Sequence, residues 1–253
     1  MQVYGLNAVT HQFLHPDGDL LVVGEPFYTL QGEGPQAGWP AIFVRLAKCN
    51  LRCFFCDTSF EEGNSYCLDT LVEQVGTMAS EHKCGLVVLT GGEPLLQNVV
   101  PFIRKMNFIN IAVAIETAGT VFVEGLDRLF RPGHLDNFED NLIVCSPKTP
   151  NINARLRPLI GAFKYIIRDY PIGAFKHGVS IDGLPVLSTQ KDGLLSLIFR
   201  QDEACLHPMP IYLQAMDERD SIATARNVKL TARLCLEHGY RNSMQTHKLL
   251  GLD

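Results

Sequence analysis

Three cysteines crowd one short stretch, Cys49-Asn50-Leu51-Arg52-Cys53-Phe54-Phe55-Cys56. The spacing C-x3-C-x2-C lets three thiolates converge from a single loop on one metal centre. A four-iron cluster ordinarily takes four thiolates, so three leave one iron without a protein ligand and open to chemistry. Zinc is the first alternative, because three cysteines and a histidine also build a structural site. No histidine lies near this loop, however, and the separated C-x2-C pairs of zinc modules are missing. A redox pair of Cys53 and Cys56 is the second alternative, and it leaves Cys49 without a task. Cys67, Cys84, Cys145, Cys205 and Cys235 are scattered and read as small apolar residues.

Further polar groups stand at the ends of apolar runs. Thr90-Gly91-Gly92-Glu93-Pro94 follows one such run, and paired glycines let backbone groups approach a ligand closely. A tight strand-to-helix turn with Pro94 opening the helix explains the same residues without a ligand. Glu116-Thr117-Ala118-Gly119, Ser146-Pro147-Lys148 and Gln214-Ala215-Met216-Asp217 follow later runs in the same manner. Parallel sheets gather ligands at just this edge.

The elements that must position these groups are legible as period. Short apolar runs at 41–46, 86–89, 111–115, 142–145, 163–167 and 210–214 predict strands. Segments of helical period separate them, among them 68–81, a next helix that Pro101 complicates because proline is comfortable only in a first turn, and 222–238 with Gly239 as its stop. About six βα units predict an α/β fold with mostly parallel strands, arranged as a partial or distorted (β/α)6-type barrel. No repeat or linker divides the chain, so residues 1–253 are expected to form a single domain. Within it, 1–24 is an N-terminal extension folded as a hairpin about His15-Pro16-Asp17-Gly18-Asp19, and 125–141 and 170–191 are loops.

Composition narrows the partners. Hydrophobic residues make up 46% of the 253, enough to bury a core, and the net charge of −5 argues against binding a nucleic-acid backbone. A small molecule is the expected partner. With no long apolar span and no signal-like N-terminus, a cytoplasmic protein without membrane contact is expected.

The cysteine loop, with the aromatic Phe55 before its third cysteine and the downstream Gly91-Gly92-Glu93, resembles the radical S-adenosylmethionine superfamily. Phe27-Tyr28-Thr29-Leu30-Gln31-Gly32-Glu33-Gly34, Phe43-Val44-Arg45-Leu46, Cys56-Asp57-Thr58 and Ser243-Met244-Gln245-Thr246-His247-Lys248 narrow the resemblance to the 7-carboxy-7-deazaguanine synthase family. It implies a lyase that contracts the ring of 6-carboxy-5,6,7,8-tetrahydropterin to 7-carboxy-7-deazaguanine, releasing ammonia, in queuosine and other 7-deazapurine biosynthesis. It also implies a 4Fe-4S cluster on Cys49, Cys53 and Cys56, S-adenosyl-L-methionine, and Mg2+ at Thr58, a residue whose plain alternative is a loop-capping hydroxyl. Cofactor contacts fall by resemblance on Gly91, Gly92, Glu93, Glu116, Ser146, Pro147, Lys148, Gln214, Ala215, Met216 and Asp217. Substrate contacts fall on Leu30, Gln31, Gly32, Glu33, Arg45, Thr90, His247 and Asp253. The planar fork of Arg45 suits a carboxylate, and Gln31 and Glu33 carry the mixed donors and acceptors that an aminopyrimidinone edge demands. A homodimer and an electron donor such as flavodoxin or ferredoxin complete the expected partners. Two departures stand out: Ala215 where the family often has proline, and a charged Asp253 where it often ends in proline or a small apolar residue.

Overall fold

The computed structural model describes residues 8–53, 56, 59–130, 140–149, 151–169 and 210–252. Its strands are β1 (Leu20–Val22), β2 (Phe27–Leu30), β3 (Pro40–Leu46), β4 (Asn64–Tyr66), β5 (Leu86–Gly91), β6 (Ala112–Thr117), β7 (Leu142–Cys145), β8 (Ala162–Ile167), β9 (Ile211–Ala215) and β10 (Arg241–Ser243). The helices among them are α1 (Leu68–His82), α2 (Val100–Phe108), α3 (Ser221–His238) and α4 (Thr246–Leu250). All six expected strands are present within about two residues of their expected ends. The three-residue strands β1, β4 and β10 are too short to carry a period.

One ten-stranded sheet runs in the order β10-β9-β8-β7-β6-β5-β3-β1-β4, with β2 also on β3. From β3 to β10 every pairing is parallel, and β1, β2 and β4 pair antiparallel. No pairing joins the two ends of this order among the described residues, so the barrel is open. Of the hairpin expected within 1–24, residues 8–24 are described. A turn is present, with the Gly18 N–H donating to the His15 carbonyl, but β1 takes its partners from β3 and β4. Residues 131–139 and 170–209, which hold most of the two expected loops, lie outside the described residues.

Side chains alternate across a strand, and here the two faces divide the labour. Ile42, Val44, Val87, Leu89, Val113, Ile115 and Ile143 point outward into the large core, with Leu71 and Val75 of α1 and Phe102, Ile103 and Met106 of α2. Inward point Ala41, Leu86, Val88, Ala112 and Ala114, a small cluster in which alanines suit the concave face. The same parity continues to Arg45, Thr90 and Glu116 at the carboxyl ends of β3, β5 and β6. The helices are held by local devices. Asp19 accepts from the Leu68 N–H at the start of α1, Pro101 sits in the first turn of α2, and Asp220 caps α3 while Gly239 ends it at φ 71°.

Gln97, 1% exposed, ties the N-terminal strand to the approach of the cysteine loop. Its amide accepts from the Leu21 N–H and donates to the Leu21 and Ala47 carbonyls. Gln97→Ala is expected to cost about 2–3 kcal/mol, since it strands buried backbone groups; the midpoint of urea unfolding measures it.

Candidate functional site

A cavity of about 810 Å³ opens at the carboxyl ends of the parallel strands, a size that suits a ligand and a cofactor together. Cys49, Cys53 and Cys56 line it. Cys49 follows β3, and the chain there is clamped from the neighbouring turn: the Gly92 N–H donates to the Leu46 carbonyl and the Glu93 N–H to the Lys48 carbonyl, each at 2.9 Å. A side chain on Gly92 would meet the Lys48 carbonyl oxygen at 1.9 Å, and one on Gly91 the Leu46 carbonyl oxygen at 2.3 Å. The paired glycines therefore serve a backbone-to-backbone contact behind the cysteines, besides lining the cavity. Burial is the main cause that pushes the Cys49 thiol up to about 12, opposed by a hydrogen bond from the Leu51 N–H and reinforced by Glu93, Cys53 and Cys56. Metal loading must therefore displace a proton here.

The described residues contain no group of three His, Cys, Asp or Glu side chains already drawn into a metal-ligand cage. The donor set itself fits an iron–sulfur cluster: three soft sulfurs on one cavity, with no fourth cysteine on its wall among the described residues. Phe54, Phe55, Asp57 and Thr58 of the same loop lie outside the described residues, and so does Asp253.

Most of the other expected residues meet in this cavity. Leu30, Gln31, Glu33, Arg45, Thr90 and His247 line it from one set of elements. Gly91, Gly92, Glu116, Ser146 and Lys148 line it from the ends of β5, β6 and β7, and Gln214, Ala215, Met216 and Asp217 from the end of β9. Lys148 donates to the Ser146 hydroxyl at 2.5 Å. The Arg45 guanidinium lies 4.6 Å over the Phe27 ring, which itself stacks on Phe43, so its fork is held at the wall.

Three expected contacts stand behind the wall. Gly32 is covered by His247, and its carbonyl accepts from both the N–H and the hydroxyl of Thr246. Pro147 is not among the lining residues. Glu93 is fully buried, and its carboxylate accepts from the Thr117 hydroxyl, the Ala118 N–H and the Leu95 N–H. Burial raises its pKa against those three bonds and the charge of Lys148. As placed, Glu93 organises the turns after β5 and β6.

Sequence reasoning missed Lys164 and Gln245. Lys164 lies within the apolar strand β8 with its side chain only 7% exposed, pairs with Glu33, and stands 3.6 Å from Glu116. A lysine inside a buried strand, at the parity of the concave face, is the signal that could have found it. Gln245, just before α4, donates to Glu33 at 2.8 Å, and Gln214 donates to the same oxygen at 3.1 Å. Glu116 in turn accepts from Gln31 at 3.2 Å and from the Thr90 hydroxyl at 3.0 Å. One wall of the cavity is thus a continuous polar network of carboxylates and amides, able to read the donors and acceptors of a heterocycle, while another carries the thiols.

The sequence pattern of the Radical SAM superfamily matches residues 44–169. The 7-carboxy-7-deazaguanine synthase of Rhodospirillum rubrum is 41% identical over 92% of this chain and 93% of its own length. That of Rickettsia prowazekii is 33% identical over 100% of this chain and 97% of its own. Among solved structures, the crystal structure of QueE from Escherichia coli superimposes with a TM-score of 0.63 at 21% identity, covering 89% of this chain and 93% of that one, a likeness of fold.

Glu93→Ala is expected to lower stability by about 2–4 kcal/mol, because two buried donors and one partly buried donor lose their acceptor at once. Thermal or urea unfolding of the variant measures it, and an unchanged midpoint would remove Glu93 from its organising role.

Proposed function

This chain belongs to the 7-carboxy-7-deazaguanine synthase family, and from that premise we propose that it is a Mg2+-dependent radical lyase. Its reaction contracts 6-carboxy-5,6,7,8-tetrahydropterin to 7-carboxy-7-deazaguanine with release of ammonia, toward queuosine and related 7-deazapurines. The observation that supports this reading is the sharing of one cavity by Cys49, Cys53 and Cys56 and by the polar wall of Gln31, Glu33, Arg45, Thr90 and Glu116.

When bound, a 4Fe-4S cluster and S-adenosyl-L-methionine supply a carbon-centred radical that abstracts hydrogen. Cys49, Cys53 and Cys56 would hold the cluster, with the remaining iron free of protein ligands. Gly91, Gly92, Glu116, Ser146, Lys148 and Gln214 to Asp217 would hold the methionine-derived cofactor, and Glu93 and Pro147 would shape the turns that carry them. Arg45 would take the pterin carboxylate in a bidentate pair, for which its planar fork is suited. Gln31, Glu33 and Thr90 would read the aminopyrimidinone edge with Leu30 beside it, and His247, packed over Gly32, would border the ring. Thr58 would bring a hydroxyl to Mg2+, an ion that favours oxygen ligands and retains water. Asp253 would lie close to the substrate. A second copy of the chain and a small electron-transfer protein such as flavodoxin or ferredoxin are its proposed partners.

Anaerobic incubation of the reconstituted protein with the carboxytetrahydropterin, reductant and Mg2+ is expected to yield the deazaguanine acid and ammonia in equal amounts. Neither product appearing while the cofactor is cleaved would remove this substrate. Cys53→Ala is expected to abolish cofactor cleavage altogether, measured as loss of 5′-deoxyadenosine formation.

A further inference from the structure

Lys164 sits between two acids on the cavity wall. Its ammonium pairs with Glu33 and stands 3.6 Å from Glu116, with side chains 7%, 15% and 19% exposed in that order. These acids arrive from unrelated parts of the chain, Glu33 from the loop after β2 and Glu116 from the end of β6. Each is also bonded to neutral donors: Gln214 and Gln245 on Glu33, Gln31 and Thr90 on Glu116. Lys164 pairs with the carboxylates of both, while Gln31 links the Glu116 carboxylate to the Glu33 backbone N–H.

Two acids and one ammonium leave a single net negative charge, with lone pairs beyond those the protein donors occupy. Such a wall favours a ligand edge rich in N–H donors and disfavours one rich in acceptors. Without the ammonium, burial would drive a proton onto the carboxyl of Glu33 and turn one acceptor into a donor. We infer that Lys164 is a positioning residue of this site, its ammonium splinting Glu33 and Glu116 as paired charged acceptors for the N–H edge of the substrate heterocycle. The identity of that heterocycle rests on the function proposed above; the splint itself does not.

Burial alone would raise the Glu33 carboxyl, but the charge and hydrogen bond of Lys164, the bond from Gln245 and the charge of His247 bring it down to about 2. The groups facing Glu33 are thus Lys164 on β8, His247 on α4, and the neutral Gln214 and Gln245, with Glu116 beyond the lysine. A carboxyl lowered on folding adds stability above its unfolded value of 4.5, and that stability is lost as pH falls toward about 2. In Lys164→Met burial is opposed by Gln245 and His247 without the ammonium, so the carboxyl is expected to rise above its unfolded value and stability to be lost as pH rises instead.

Thermal unfolding of the wild type, Lys164→Met and the double variant Lys164→Met with Glu33→Gln is measured from about pH 5 to about pH 8. The deficit of Lys164→Met against the wild type is expected to widen as pH rises, and that widening to vanish in the double variant, where His247 and Glu116 remain. Should Lys164→Met fail to fold near neutral pH while the double variant folds, the same pairing is supported. A deficit independent of pH, or one that Glu33→Gln does not relieve, overturns the splint. In parallel, equilibrium binding of 6-carboxytetrahydropterin to reconstituted, unreduced protein is expected to weaken about tenfold or more in Lys164→Met, a loss of one charged hydrogen-bond arrangement. Equal affinity of wild type and variant overturns the positioning role. Binding by neither protein would count against the proposed substrate, and the unfolding series would then decide the splint by itself.

Discussion

Two backbone hydrogen bonds, from Gly92 to Leu46 and from Glu93 to Lys48, tie the turn after β5 to the chain that enters the cysteine loop. Much of the site depends on this seam. It forms because neither glycine carries a side chain, so that two stretches of backbone can meet where any Cβ would collide with a carbonyl oxygen. The carboxylate of Glu93 then reaches over to Thr117 and Ala118 and joins the turn after β6 to the same assembly. Gln97 continues the chain of support from the other side, through Ala47 and Leu21. The first cysteine thus follows a strand whose end is held by Gly92, Glu93 and Gln97.

The opposite part of the cavity is held by charge. Lys164 and the carboxylates of Glu33 and Glu116 stand on the concave face, above the small cluster that holds Ala112 and Ala114. Buried ions are costly to desolvate, and such a cluster persists where each charge has its partners. The seam and the cluster meet at β6, whose Glu116 faces the cavity while Thr117 points back toward Glu93. Adjacent residues on one strand therefore serve the two halves of the site, a consequence of side chains alternating between its faces.

Period and punctuation made the scaffold legible from the sequence. Runs such as 86–89 and 142–145 are apolar throughout because parallel strands are covered on both faces, and the helices between them carry their stops in residues such as Gly239. The cysteine loop and the polar groups trailing each run were legible for the same reason: a parallel sheet sends every strand's carboxyl end to one edge. The strands β1, β4 and β10 were not legible, since three residues hold no period and their pairing depends on partners distant in the chain. The N-terminal residues resembled a hairpin because a turn followed by an apolar triplet looks the same whether its partner lies beside it or at residue 46.

By itself the sequence determined the α/β order of elements, the cysteine triplet and the family to which the chain belongs, because these reside in local spacing and in residue type. Only the tertiary structure decided which polar residues face the cavity. It set Glu93 behind the wall, turned the paired glycines toward Leu46 and Lys48, and brought Lys164 onto both Glu33 and Glu116. Those assignments turn on contacts between residues tens of positions apart, whose meeting follows from strand register and from the curvature of an open barrel, which no local window contains.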